Sequence, residues 1–295
     1  MLFLEFKVHY IPNQSMPIIS DLSSAIRGLW GRGLRSVYCF QKQSECSNCA
    51  LDNCTYYVLF EKKLSDSDQY HPYIIQAQVV NPFLIEAKFR FFGWICEHSE
   101  KLIYSLLQTD GKILHRNGQA YQLSLCKILD CRDASLYSKG NPNINRPHLA
   151  SLKFVPREVP GLRIDFLSPL RQKHEGRLMS EFEWMPFAKS LINRIRFINT
   201  HFNRDELTIP DNIELDGVKI VSSHTYWSEK IRVSHRQDAR MSIGGLVGYV
   251  VVKDVSPEMV GILKLARYLH AGKQCSFGNG EIGLRILSET DPHPG

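Results

Sequence analysis

The chain has 295 residues, with 36 Lys+Arg against 30 Asp+Glu for a formal net charge of +6, and 43% of it is hydrophobic. That apolar content excludes a disordered chain, and so small a surplus excludes a histone-like coat for polyanions, leaving nucleic-acid contact to locally placed cations. Single cores seldom grow past about 250–300 residues, so two domains of roughly 150 residues are expected.

In chain order, Leu2, Leu4, Phe6 and Val8 alternate with Phe3, Glu5, Lys7 and His9, the two-residue period of a strand with one buried face. Glu5 and Lys7 also break the apolar run that a signal peptide needs. The longest later apolar stretch, Gly245 to Val252, is far shorter than the roughly 20 residues of a membrane helix. A cytoplasmic protein with no membrane partner is expected. A helix capped by Ser20 or Asp21 follows to about Tyr38, with the apolar stripe Leu22, Ile26, Leu29, Gly33 and Val37. After a cysteine loop come an aromatic strand at Tyr56–Phe60 and strands at Ile74–Val80 and Phe83–Phe92. A helix at Cys96–Thr109 and a strand at Ala120–Leu129 complete the half. The main order, β-α-β-β-α-β, is that of a ferredoxin-like sandwich.

Tyr137–Pro160 holds four prolines and three asparagines and reads as a linker. Beyond it the order repeats, with a strand at Leu162–Leu167 and a helix at Phe187–Phe202. Strands at Val218–Ser223, Tyr226–Val233 and Val247–Val252 precede a helix at Pro257–His270 and a strand at Glu281–Leu287. The expected class is α+β: tandem ferredoxin-like (RRM-like) domains at 1–148 and 149–288, a cysteine-rich insertion in the first, and a disordered tail at 289–295.

Of eight cysteines, Cys39, Cys46, Cys49 and Cys54 cluster as C-x6-C-x2-C-x4-C. Thiols crowded in this way, in a compartment that disfavours disulfides, suggest a closed, structural zinc site within 39–54. The alternative is four unpaired thiols in a loop.

The charge divides evenly, with +3 in residues 1–150 and +3 after them, so local runs matter more. Between Asp21 and Glu45 there is no acid, while Arg27, Arg32, Arg35 and Lys42 are present. Arg27, Gly31 and Arg35 lie at i, i+4 and i+8, off the apolar stripe. Glycine within a helix costs about 1 kcal/mol against alanine, so Gly28, Gly31 and Gly33 need a reason. They either admit a nucleic-acid backbone between the arginines or allow close packing within the fold. A second acid-free run, between Glu258 and Glu281, holds Lys264, Arg267, His270 and Lys273. Its glycine-rich loop runs from His270 through Gly272, Lys273 and Gly278 to Gly280, whose N–H groups could form an outward anion nest. An ordinary connection is the alternative. In a third cluster Arg232, Ser234 and Arg236 alternate on one strand face, with Gln237 beyond. His235 faces the other way, either as a proton acceptor or as a structural residue.

Together these segments resemble the CRISPR repeat-processing endoribonucleases of the RAMP superfamily. The pieces that carry the likeness are Ile26-Arg-Gly-Leu-Trp-Gly-Arg-Gly-Leu-Arg35, the cysteine spacing running into Tyr56 and Leu59-Phe60-Glu61, and Phe91-Phe-Gly93. Further on come Phe166-Leu-Ser-Pro-Leu170, Arg232-x-Ser234-x-Arg236-Gln237 with Gly244-Gly245, and Gly272-Lys through Ser276-Phe-Gly-Asn-Gly280. The family's terminal loop, usually G-x-G-x5-G-x-G, has His270 in place of its first glycine.

The resemblance implies tandem ferredoxin-like domains and metal-independent cleavage of precursor RNA. The 2′-hydroxyl attacks the adjacent phosphate and leaves a cyclic phosphate. The chemistry needs a base, an acid for the leaving 5′-oxygen, and cations for the phosphorane. Many relatives place a histidine in or just after the first helix; this chain has none between His9 and His71. The acid–base role then falls to His235 or to Tyr38. Arg27, Arg32, Arg35, Arg232, Arg236, Gln237, His270, Gly272, Lys273, Gly278 and Gly280 are the expected RNA contacts. No cofactor is expected for catalysis. The implied partners are the CRISPR repeat hairpin and other Cas proteins of an effector complex in a prokaryotic cytoplasm. A non-catalytic guide-RNA-binding subunit is the competing expectation.

Overall fold

The structure, a computed structural model, describes residues 1–18, 21–41, 46–49, 51, 54–61, 70–116, 118–141, 143–204, 207–234 and 239–288, with backbone alone at 47, 231–234, 239 and 240. The chain forms two compact units, one of Leu2–Ser151 and one of Met1 with Leu152–Gly295.

In the N-terminal unit, β1 (Leu2–Pro12) buries Leu4, Phe6, Val8 and Tyr10 and turns Glu5, Lys7 and His9 to its other face. Helix α1 (Ser23–Tyr38) and the short helix α2 (Thr55–Phe60) follow. Then come β2 (Tyr73–Asn81), β3 (Leu84–Phe92), α3 (Ser99–Leu107), β4 (Ile113–Arg116) and β5 (Gln119–Asp130). Two short strands, β6 (Ser135–Ser138) and β7 (Ala150–Ser151), pair with β5 and β1. The main antiparallel sheet runs β2-β3-β1-β5-β4, so its four chief strands have ferredoxin-like order.

The core of this unit gathers around Trp30. Its indole is fully buried, donates to Ser105 Oγ at 2.8 Å, and meets Tyr73 and Phe89 edge-on. Burying a large apolar side chain contributes about 1.5–3 kcal/mol, and the indole N–H keeps a partner while doing so.

The expected strand at Tyr56–Phe60 is corrected: it is helix α2. Aromatic composition favours a strand by propensity, but in the helix Tyr56 and Phe60, four residues apart, stack with centroids 5.5 Å apart. Phe60 also packs on Trp30 and Tyr73. Tertiary contact outweighs propensity here.

The C-terminal unit begins with β8 (Leu162–Leu170), followed by a small hairpin, β9 (Lys173–His174) and β10 (Arg177–Leu178). After α4 (Trp184–Phe202) come β11 (Lys219–Ser228), the hairpin of β12 (Ile231–Ser234) and β13 (Ala239–Ser242), and β14 (Gly245–Lys253). Helix α5 (Pro257–Leu269) and β15 (Ile282–Ile286) close the unit. The sheet order β11-β14-β8-β15 repeats the ferredoxin-like topology. The fold is therefore a tandem of ferredoxin-like units, as the sequence led us to expect. The expected pair Val218–Ser223 and Tyr226–Val233 is instead one strand, β11, that ends at Ser228 before β12 starts at Ile231.

Helix α5 starts where its sequence says it should. Ser256 Oγ accepts the Met259 N–H at 3.4 Å, Pro257 occupies the first turn, and Glu258 complements the helix dipole. Among the described residues no helix is long and apolar enough to cross a membrane.

Candidate functional site

The basic face of α1 is not open. A Cβ on Gly31 would stand 2.8 Å from the Phe60 ring. The Arg27 guanidinium lies 4.6 Å from the Phe60 centroid, and its Nε donates to the Tyr73 hydroxyl at 2.9 Å. Arg35 sits 5.8 Å from the Tyr56 centroid and hydrogen-bonds Cys39, which raises its pKa. Helix α2 thus covers the Arg27–Gly31–Arg35 face. Close packing, not a groove for a nucleic-acid backbone, is the reason for Gly31. Gly33 has the same reason, since its missing side chain lets α1 press against the Ser105 carbonyl of α3. Gly28 alone has nothing within 4 Å of its Cβ position; with Arg32, one turn on, it forms the exposed part of this helix.

The four clustered cysteines surround the α1–α2 connection, and none is in a disulfide. Cys39 caps the C-terminus of α1, Cys46 opens a 3-10 turn, and Cys54 caps the N-terminus of α2. The Cys49 N–H donates to the Cys46 carbonyl at 3.4 Å, and Cys54 Sγ reaches the Tyr38 carbonyl at 3.9 Å. Burial raises the Cys46 thiol, with Glu61 adding to it and Arg35 opposing it. Among the described residues, no group of three or more His, Cys, Asp or Glu is placed to hold a metal ion.

Tyr38, the expected alternative acid–base residue, is buried. Its hydroxyl has no hydrogen-bond partner among the described residues. Burial, then the charge of Cys54, pushes its pKa well above the ordinary tyrosine value. A buried phenol held protonated is poorly suited to accept a proton from substrate.

In the C-terminal unit the glycine-rich loop is packed inward. Gly272, Gly278 and Gly280 have φ of 74°, 81° and 74°, the left-handed region that glycine tolerates best. Their positive φ does not create the expected outward anion nest, and that expectation is corrected. The Lys273 N–H donates to the Arg171 carbonyl at 2.7 Å, Gly278 to Cys275 at 2.8 Å, and Gly280 to Pro169 at 3.1 Å. A Cβ on Gly272 would meet the Arg171 carbonyl at 2.5 Å, so the glycine permits docking against the end of β8.

His270 is fully buried in this loop, with Nδ1 2.9 Å from the Asn279 carbonyl oxygen. Its side chain braces the loop and offers no surface contact, in contrast to the expected RNA-binding role. Asn279, also fully buried, donates from Nδ2 to the Ile243 carbonyl at 2.7 Å and accepts from Lys230 Nζ at 2.8 Å. Lys230 and Asn279 thereby tie the loop to the segments flanking the β12–β13 hairpin. Sequence reading gave neither a role, although Asn279 stands inside the terminal glycine motif, because only the packed fold shows what the two side chains bond. Arg232 lies in β12, paired with Met241; His235, Arg236 and Gln237 lie outside the described residues.

A second feature escaped the sequence reading. On the open face of the C-terminal sheet the Arg163 guanidinium lies 3.6 Å from the Tyr249 centroid and pairs with Asp165 at 2.8 Å. His224 packs on the same ring at 4.9 Å, and Tyr226, two residues further along β11, is 67% exposed. The available signal was the alternation of Arg163 and Asp165 with Leu162, Ile164 and Phe166. Sheet faces of this type can stack planar groups.

A paired ferredoxin-like scaffold with a glycine loop before its last strand defines the class. Residues 164–282 match the family model of the CRISPR-associated endoribonuclease Cas6, and residues 1–149 match a family model described as an N-terminal domain. The chain belongs to the family of this N-terminal domain, and through its C-terminal unit to the Cas6 family of CRISPR-associated, repeat-processing endoribonucleases.

Among solved structures, a Cas6 product complex aligns with a TM-score of 0.61 at 15% identity, over 96% of this chain and 100% of that one. Thermus thermophilus Cas6 gives 0.56 at 13%, over 96% and 98%. A partial Cas6-RT-Cas1–Cas2 complex gives 0.54 at 12%, over 99% of this chain and 47% of that one. At such identities these likenesses concern the fold. No curated protein matches the chain.

Proposed function

We propose that this protein cleaves CRISPR precursor RNA within its repeats, without a metal ion, and keeps the repeat hairpin of its product. The observation that carries the reading is the Cas6 family match across 164–282, the span that holds the glycine loop. In this reading the 2′-hydroxyl attacks the adjacent phosphate, and the upstream product ends in a cyclic phosphate. Arg32 on the exposed part of α1, and the half-buried Arg27 and Arg35, offer charge to the RNA backbone from the N-terminal unit, and Lys273 does so from the C-terminal one. Arg232, Arg236 and Gln237 contact the RNA from the hairpin segment. The buried phenol of Tyr38 leaves His235 as the stronger choice for proton transfer. A similar fold is found in a Cas6-RT-Cas1–Cas2 complex; by analogy this chain works in the prokaryotic cytoplasm within a Cas assembly.

The test is incubation with the cognate repeat transcript in EDTA. Site-specific cleavage giving a cyclic phosphate is expected, with at least a tenfold loss in the His235→Ala variant. Cleavage that requires a divalent ion would refute the proposed chemistry.

Two observations favour a second reading, a guide-RNA-binding subunit without activity: no histidine lies between His9 and His71, and the Tyr38 hydroxyl is buried. Tight hairpin binding without cleavage would select it.

A further inference from the structure

We propose that the β9–β10 hairpin is an RNA-binding element, in which Lys173 and Arg171, in a row with Lys273, hold the sugar–phosphate backbone of the repeat. The inference rests on the RNA-processing reading above and adds a contact surface to it. The hairpin leaves the end of β8 and turns through Glu175 and Gly176, with φ of 47° and 81°, as tight two-residue hairpin turns prefer. Lys173 pairs with Leu178, and His174 with Arg177. At the base the Met179 N–H donates to the Gln172 carbonyl at 3.1 Å, and both residues are buried. The hairpin is therefore a short, stiff projection anchored at its base.

Its two faces differ. Strand side chains alternate, so Gln172, His174 and Arg177 share the anchored face, and the Glu175 carboxylate lies 4.0 Å from the His174 ring. The other face carries Arg171 and Lys173, with Leu178 40% exposed beside them. An isolated antiparallel bridge sets Lys273 of the glycine loop opposite Arg171, and directly opposed residues of such a pair share a face. The row Lys173–Arg171–Lys273 thus runs across two segments distant in sequence. Arg171 is fixed in this row: it donates to the Gly244 carbonyl at 2.9 Å, one of its five N–H groups, and its own carbonyl accepts the Lys273 N–H at 2.7 Å. Neither Arg171 nor Lys173 has an ion-pair partner among the described residues. Fixed, uncompensated cations suit a polyanion, and phosphate contacts supply affinity and register without reading bases. Alternate strand residues stand about 6.8 Å apart, a spacing comparable with that of successive phosphates. The contact is therefore to the backbone and not to base edges.

The test is filter binding of the full chain to the repeat transcript between about 0.05 and 0.3 M salt. Lys173 is exposed, so its replacement leaves the fold intact. Lys173→Gln should weaken binding about threefold to tenfold and flatten the slope of log affinity against log salt by about 0.7–1. Lys173→Arg should restore both. Arg177→Gln, on the opposite face of the same hairpin, should change neither. Equal losses in Lys173→Gln and Arg177→Gln would overturn the assignment of the face. Unchanged affinity and slope in Lys173→Gln, with tight binding by the unaltered chain, would overturn the hairpin contact and leave the RNA-processing reading standing. An unaltered chain that does not bind the repeat would overturn both.

Discussion

Arg27 rests on the ring of Phe60, its guanidinium carbon 4.6 Å from the ring centre, although 33 positions separate the two in sequence. A guanidinium over an aromatic face gains about 0.5–1 kcal/mol at an exposed site and more when desolvated. Arg27 is in addition oriented by the Tyr73 hydroxyl, so its outer N–H groups are presented in a fixed direction.

That arrangement makes Phe60→Leu informative. The leucine keeps most of the apolar volume on Gly31 and Trp30 but removes the π face. Repeat-RNA affinity should fall several-fold, with a loss in unfolding free energy of about 1–2 kcal/mol. Filter binding and urea titration measure the two separately; unchanged affinity would mean that the orientation of Arg27 does not matter for RNA.

The helix glycines should respond in opposite directions. Gly28→Ala meets nothing within 4 Å and should gain about 0.5–1 kcal/mol from helix propensity. Gly33→Ala drives a methyl group into the Ser105 carbonyl and should lose about 1–3 kcal/mol as α1 and α3 separate. Thermal unfolding of the two variants side by side checks the sign of each.

Asn279 holds the glycine loop through three polar atoms, so Asn279→Ala leaves the Ile243 carbonyl and Lys230 ammonium without that partner. A loss of about 1–3 kcal/mol is expected. A double-mutant cycle with Lys230→Met should return a coupling of at least about 0.5 kcal/mol. Strict additivity would show that the pair does not act as a unit.

Asp130 provides a pH test. Burial alone would raise its pKa, but its carboxylate accepts the N–H groups of Arg132, His148 and Ala134, which together hold it below the ordinary aspartate value. A depressed folded pKa contributes stability above the unfolded value, and that share is lost as pH falls through the folded pKa. Urea midpoints between about pH 5 and pH 2 should therefore fall more steeply for the unaltered chain than for Asp130→Asn. Parallel curves would contradict the assignment.

The tandem order was legible because strands such as Leu2–Pro12 are buried on one face only and keep a two-residue period. It was also legible because the Pro257–Leu269 helix carries its own start signals. What sequence could not show was which partner meets each polar or glycine position. The Arg27–Gly31–Arg35 stripe looked solvent-facing because its cover, α2, lies beyond an intervening loop and is built from residues that favour strands. The glycine loop was identified, but not the direction of its N–H groups, since that depends on the Arg171 and Pro169 carbonyls a hundred residues earlier. His270 resembled a surface cation for the same reason: only the packed fold shows it bonded to Asn279.

The strand order of the C-terminal sheet bears on how this unit is made. β8, the first strand synthesised, lies between β14 and β15, and its Leu162–Phe166 stretch pairs with Ile286–Ile282 of the last. On the ribosome, one edge of β8 therefore stays bare until more than a hundred further residues have emerged. A stalled or truncated product ending before Ile282 would present that apolar edge to other nascent chains. Translation of the final helix, loop and strand is the step at which this half of the protein becomes safe from aggregation.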